Sequence, residues 1–473
     1  MSPQHVIDGF IKEFVEDLHN GSAAVFAGAG MSKGSGYVDW PELLRDIAHE
    51  LGLDVAKEHD LISLAQFHVN NKRTADGLAK KILREFSDQA EPSEVHDIIA
   101  RLPIYSFWTT NYDTLIEDAL RRAFRVPDIK SQVDQLTLSR PKRDAIVYKM
   151  HGDVQMAQHA IIYKEQYEKY YVTHAPFITA LSGDLVSKTF LFIGFSFTDP
   201  NLDYVLSRLH GGATKRTHYC FMREAQRDAG DDDEIFAYKR RKQELRIEDL
   251  KRFGIQTLLV DNYSDINDIL ERIEALYRKR TVFFSGSAEE YGTWERRDAM
   301  DFVHDVAANC VKANCRVVNG FGWGVGSAVI NGALEAIYGD PLKYSEAQLI
   351  VRPFPQQGDN LKELWEQYRQ RMIGLAGIAL YFFGNKLEAG KLVNADGCRR
   401  EFEIALEHGL LPIPVAATGF MAEELWQEIS ADLDKYYGNC KWVIPMVQKL
   451  ADPKTPRKEM VKTITDVVKQ LNR

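Results

Sequence analysis

The stretch Ala23-Ala24-Val25-Phe26-Ala27-Gly28-Ala29-Gly30-Met31-Ser32 limits what this chain can fold into more than any other. It is an apolar run that breaks into a turn of small residues. Val25 and Phe26 favour a buried strand. Gly28, Ala29 and Gly30 leave no side chain that would hold a phosphate or ribose away from the backbone amides. The stretch therefore reads as a buried strand ending at a nucleotide.

Three later segments repeat the pattern of apolar run, polar tip and helix. Ile104 to Trp108 runs into Thr109-Thr110-Asn111-Tyr112-Asp113, Ala145 to Met150 into His151-Gly152-Asp153, and Thr189 to Ile193 into Gly194-Phe195-Ser196-Phe197-Thr198-Asp199-Pro200. Ligand groups in open parallel sheets collect at such carboxyl ends. Asp113 also suits a plain helix cap, as do Thr198 and Asp199, and Trp40 suits the start of the helix from Pro41. Asn111 has less to do under a capping role. A histidine beside glycine suits proton transfer, because its ordinary pKa lies near neutrality. Strands are also expected at Thr217 to Met222 and Gly254 to Val260, and a run of short helices at 51–102 reads as an insertion. Strands alternating with helices predict a doubly wound α/β domain.

Gly28-Ala29-Gly30-Met31-Ser32, Thr110-Asn111-Tyr112-Asp113, His151-Gly152 and Gly194-Phe195-Ser196 resemble, in order and spacing, the NAD-binding motifs of sirtuins. The resemblance implies NAD+ as substrate, with Asn111 and His151 as the catalytic pair at the nicotinamide ribose. It assigns Gly28, Ala29, Ser32, Asp39, Asp113, Gly194 and Ser196 to NAD binding. A sirtuin deacylase normally carries a four-cysteine zinc ribbon, whereas Cys220 is the sole cysteine before residue 310. No metal is expected, and water becomes the favoured acceptor over acyl-lysine.

A chain of 473 residues exceeds one ordinary core. A helix over Ser264 to Arg280 closes the first domain, expected at 1–280, and its terminal basic run reads as a solvated helix end. A second α/β unit, 281–473, opens with Thr281 to Phe284 and the tip Ser285-Gly286-Ser287. Arg316 to Val318 then leads into Asn319-Gly320-Phe321-Gly322-Trp323-Gly324 and a helix. Spaced glycines between strand and helix suit phosphates, and a tight structural connection gives the same pattern. Their order differs from the dehydrogenase fingerprint. Arg352, Arg369, Arg371, Lys386 and Glu401 can neutralise a diphosphate and read ribose hydroxyls, although solvated charge is the default for each alone.

This half resembles the Rossmann-like SLOG ligand-sensing domains. A sirtuin-like domain followed by a SLOG domain resembles the Thoeris antiphage effector family. That resemblance implies NAD+ hydrolysis switched on by a cyclic ADP-ribose isomer, made by a partner TIR-domain protein. It assigns Ser285, Gly286, Gly322, Gly324, Arg369, Lys386 and Glu401 to the signal, and it implies a tetramer or higher assembly.

Net charge of -9 and a pI near 5.9 argue against non-specific nucleic-acid binding, which needs a basic field. Five scattered cysteines without a C-x-x-C pair, and no apolar run long enough to span a bilayer, lead to the expectation of a cytoplasmic protein. An NAD-dependent deacylase or ADP-ribosyltransferase, and a catalytically silent nucleotide-binding assembly protein, are the rival classes.

Overall fold

The computed structural model describes residues 2–87, 90–197, 199–209, 216–357 and 359–472. Two compact units form, Met1–Glu274 and Ala275–Arg473, the division falling inside the helix Asp265–Lys279. Among the described residues no helix is long and apolar enough to cross a membrane.

The first unit holds seven strands: β1 (Ala23–Ala27), β2 (Ser106–Thr109), β3 (Pro127–Lys130), β4 (Ala145–Lys149), β5 (Thr189–Ile193), β6 (His218–Arg223) and β7 (Ile255–Val260). All pairings are parallel, in the order β3-β4-β2-β1-β5-β6-β7. Every residue of β1 and β5 is buried, as expected of strands covered by helices on both faces. The chain enters at β1, places β2 beside it, runs out to the edge strand β3 and comes back with β4 between the two, then crosses to β5 on the other side of β1. This places the topological switch at β1, where a ligand crevice opens beyond the strand ends.

The two loops at that switch interlock. Gly194 has φ of +63°, and a Cβ there would lie 2.2 Å from the Met31 nitrogen; one on Gly28 would lie 2.4 Å from the Gly194 oxygen. The amides of Gly28 and Gly30 donate to the carbonyls of Ile193 and Gly194, both at 2.9 Å. Glycine is thus required here for loop-on-loop packing, a reason that the phosphate argument did not contain.

Helices Leu61–Lys72, Asp76–Phe86 and Glu94–Arg101 form the insertion between β1 and β2. Apolar residues of the first two, Leu64, Leu78 and Ile82 among them, pack with Leu44 and Ile47 of the helix Trp40–Glu50 in a core separate from that of the sheet. The sheet core centres on Phe26, Trp108, Phe190 and Phe192, all of them buried.

In the second unit β8 (Thr281–Ser287), β9 (Arg316–Asn319), β10 (Leu349–Val351), β11 (Ile378–Phe383) and β14 (Leu411–Pro414) form a parallel sheet in the order β10-β9-β8-β11-β14. An antiparallel hairpin, β12 (Asn385–Glu388) and β13 (Lys391–Asn394), follows β11. Both units have the expected α/β architecture with parallel sheets. Some sequence boundaries shift. Ser285, Gly286 and Ser287 lie within β8, paired with Tyr381, Phe382 and Phe383, and are not a free tip. Lys386 stands in the hairpin. β3 has no counterpart among the strands read from the sequence: it is four residues long, and Pro127 is accommodated at the first position of an edge strand.

Candidate active site and sensor cavity

Strand register brings the first cluster together. Thr109 of β2 pairs with Lys149 of β4, so Asn111 and His151 each stand two residues beyond the last paired position. Asn111 is buried and donates from Nδ2 to the Gly28 oxygen at 3.0 Å and to Ser32 Oγ at 2.9 Å. Ser32 Oγ donates to Asp113 Oδ2 at 2.8 Å, and Asp113 Oδ1 accepts from the Leu115 amide at 3.1 Å. Asp113 therefore takes the first amide of the helix Leu115–Arg122 in an Asx-type turn, one residue before the cap position at Thr114, and also anchors Ser32. Four of the expected residues, Gly28, Ser32, Asn111 and Asp113, form one hydrogen-bonded relay at the ends of β1 and β2.

His151 is 1% exposed. Its Nε2 lies 3.2 Å from Asp199 Oδ2 and 3.4 Å from Asn201 Nδ2, and its Nδ1 lies 3.4 Å from the Tyr167 hydroxyl. Burial pushes its pKa down and the Asp199 carboxylate opposes the shift. Gly152, with φ of +95°, turns the chain directly after it.

Beneath both clusters lies Lys149, fully buried. It pairs with Glu117 at 2.9 Å and Asp153 at 2.6 Å, and donates to the backbone oxygens of Tyr112, at 3.2 Å, and Asp113. Burial works against its charge, but Glu117, Asp153 and Asp113 outweigh that and hold the ammonium pKa above its ordinary value. Sequence reasoning missed Lys149, although a lysine inside the run Ala-Ile-Val-Tyr with an acid four positions later was a usable signal. Nothing in the sequence marked Tyr167 or Asn201.

The remaining expected NAD contacts are placed differently. Asp39 sits in a reciprocal capping box with Glu42 and pairs with Lys33 at 2.7 Å. Ala29 opens a helix of five residues, Ala29–Lys33. Gly194 faces Met31, and Ser196 is exposed on the loop after β5. Thr198 lies outside the described residues. Among the described residues no group of three or more His, Cys, Asp or Glu side chains is placed to hold a metal ion, and Cys220 is buried in β6.

In the second unit a cavity of about 190 Å³ is lined by Gly286, Gly322, Lys386, Asp396 and Glu401 together with Phe284 and Phe354. Ser285 Oγ donates to Glu401 Oε2 at 2.6 Å. Arg369 Nε lies 3.8 Å from Glu401 Oε1, buried and without a hydrogen-bond partner, with its guanidinium 5.0 Å from the Phe354 ring centre. Burial pushes the Glu401 carboxyl up, while Ser285 and Arg369 pull it down. Lys386 is held by Asp396 at 2.6 Å. Gly322 packs so closely on β8 that a Cβ would lie 2.0 Å from the Gly286 oxygen. Gly324 is not part of the lining: it turns with φ of +71° against Ala288, and its carbonyl accepts from Tyr291 at 2.9 Å.

Residues 105–248 match the family described as SIR2-like domain, and residues 265–471 match the Sir2- and TIR-associating SLOG family. Over full length the chain is 44% identical to a Bacillus cereus protein named NAD(+) hydrolase ThsA, covering all of both chains. Proteins of the same name from Cytobacillus dafuensis and Enterococcus faecium are 44% and 40% identical, over 98% and 90% of this chain and 96% and 91% of theirs. The order of domains, the motifs at the strand ends and these identities lead to one conclusion: the chain belongs to the ThsA family.

Proposed function

We propose that the protein hydrolyses NAD+ to ADP-ribose and nicotinamide at the ends of β1, β2 and β4. The observation that carries this reading is the buried relay Asn111–Ser32–Asp113 on the Gly28 turn, with His151 at the adjacent strand end. The relatives' names support it.

Breaking the nicotinamide–ribose bond sends the bonding pair out with neutral nicotinamide and builds oxocarbenium character on the sugar. Asn111, fixed through Nδ2, orients the ribose or the attacking water. His151, kept neutral by burial, takes a proton from a ribose hydroxyl or from that water. The Gly28–Ser32 turn holds the pyrophosphate and ribose, with Ser196 toward the adenosine side. Asp39, committed to its helix cap and Lys33, serves by shaping the loop beside the ribose.

We further propose that a cyclic ADP-ribose-type signal, made by a TIR-domain protein, binds the β8 cavity and switches hydrolysis on, depleting NAD+ in antiphage defence. The buried Arg369 Nε and the Glu401–Ser285 pair are suited to a diphosphate and ribose hydroxyls. Such control requires the signal to bind the active arrangement more tightly than the resting one. Five free cysteines and a nucleotide substrate fit a cytoplasmic site of action.

A product assay tests the reading. Free ADP-ribose and nicotinamide formed in equal amounts from NAD+ alone support hydrolysis. Turnover that requires an added peptide or protein would instead make the chain a deacylase or ADP-ribosyltransferase.

A further inference from the structure

Asp199 has two tasks at once. Its Oδ1 accepts from the backbone amides of Asn201 and Leu202, both at 3.0 Å, in the manner of a helix cap, and its Oδ2 lies 3.2 Å from His151 Nε2. A cap needs only one oxygen, and serine or asparagine supplies it equally well. The second oxygen meets a ring that is buried, where a carboxylate partner decides which nitrogen carries the proton. Around that ring stand the Tyr167 hydroxyl, the edge-on Tyr170 ring at 6.4 Å, the Asp199 carboxylate and the Asn201 amide, with His174 within electrostatic reach. Tyr170 is committed to the Met150 carbonyl at 2.9 Å. Asp199 forms the ring's one ion pair among the described residues.

We infer that Asp199 is a positioning residue for His151: its carboxylate oxygen at 3.2 Å, nearer than the Asn201 amide at 3.4 Å, fixes the ring with Nε2–H toward Asp199 and Nδ1 as the nitrogen that takes up the proton. This rests on the proposed hydrolysis. The proton leaves a ribose hydroxyl or the attacking water and goes to Nδ1, where the Tyr167 hydroxyl is held only at 3.4 Å. The imidazolium so formed is balanced by the Asp199 carboxylate, and the proton is later returned to solvent. The arrangement has the logic of an acid–histidine pair in a catalytic triad, in which the acid holds tautomer and charge without itself accepting the proton. Asp199 is also tied to the start of the helix Pro200–Leu209, so the cap and the ring orientation are set by one side chain.

The test uses the full-length protein with NAD+, with cyclic ADP-ribose isomers added until the parent response is maximal. Two variants keep the cap and lose the charge: Asp199→Ser and Asp199→Asn. For both, kcat is expected to fall on the order of 10²- to 10⁴-fold with little change in KM. In Asp199→Ser the acid limb of the kcat profile, followed between about pH 5 and 9, is expected to move to lower pH, because the imidazolium has lost its counter-charge. Thermal unfolding close to that of the parent separates this from a loss of fold. A kcat and acid limb equal to the parent's would overturn the inference and leave Asp199 a cap. A rise in turnover without added signal would also overturn it, since Asp199 would then be a latch on the ring. If the parent itself cleaves no NAD+ under any condition, it is the proposed function that fails.

Discussion

Asn111 Nδ2 donates to Ser32 Oγ at 2.9 Å across 79 positions of sequence, and Ser32 donates on to Asp113 at 2.8 Å. The serine thus transmits the orientation of a carboxylate to the amide of the candidate catalytic asparagine. Ser32→Ala removes the middle link while Asn111 keeps the Gly28 carbonyl. The expected result is a drop in kcat of about 10- to 100-fold, the value of one hydrogen bond to a charged group. Steady-state kinetics check it, and an unchanged kcat contradicts it.

Lys149 is the buried charge on which the Tyr112–Asp113 turn rests. Lys149→Met leaves Glu117 and Asp153 buried without their partner, and one-sided removal of this kind costs about 3–5 kcal/mol. Urea unfolding of the variant is expected to show a lowered midpoint at unchanged slope. A variant as stable as the parent would mean that the two carboxyls are neutral without Lys149.

Acid should weaken the first unit in a definite window. Burial depresses His96 and His218, each to about 4. It also lowers His68, His151 and His174. The unfolded chain takes up these protons below an ordinary histidine value of about 6.5, whereas the fold does not, so stability rises with pH across that interval and falls as pH drops through it. Denaturation followed between about pH 7 and 4.5 is expected to show this loss, and His96→Leu to reduce its slope. A flat profile over that range contradicts the buried neutral histidines.

The same residues show what a sequence can reveal. Six of the seven strands were legible, β1, β4 and β5 most plainly as apolar runs bounded by small or polar residues, whereas the short edge strand β3 was not; the insertion was legible from helical periodicity. The relay Asn111–Ser32–Asp113 was legible only as three separate tips; its hydrogen bonds depend on the register of β2 beside β1. Asp39 and Gly324 have local roles that the sequence did not show: one closes a capping box with Glu42, the other makes a left-handed turn against Ala288. The pairing of His151 with Asp199 could not be read, because a residue before Pro200 is explained completely by capping.

Arg369 carries the sensor proposal. Its Nε is buried without a hydrogen-bond partner beside Glu401, an arrangement that a bound diphosphate would complete. Arg369→Ala is expected to raise the signal concentration needed for half-maximal turnover on the order of 100-fold, equivalent to about 2–3 kcal/mol. Titration with cyclic ADP-ribose isomers measures it. An unchanged response at every concentration removes Arg369 from the signal site.

Asn111 and His151 are proposed to cleave NAD+ with water. The most direct test is chromatographic quantification of NAD+, nicotinamide and ADP-ribose for the parent, Asn111→Ala and His151→Ala, with and without a panel of cyclic ADP-ribose isomers. Equal release of nicotinamide and ADP-ribose is expected from the parent, increased by one of the isomers, and none from either folded variant. Full turnover in either variant, or intact NAD+ with the parent under every condition, would contradict the proposal.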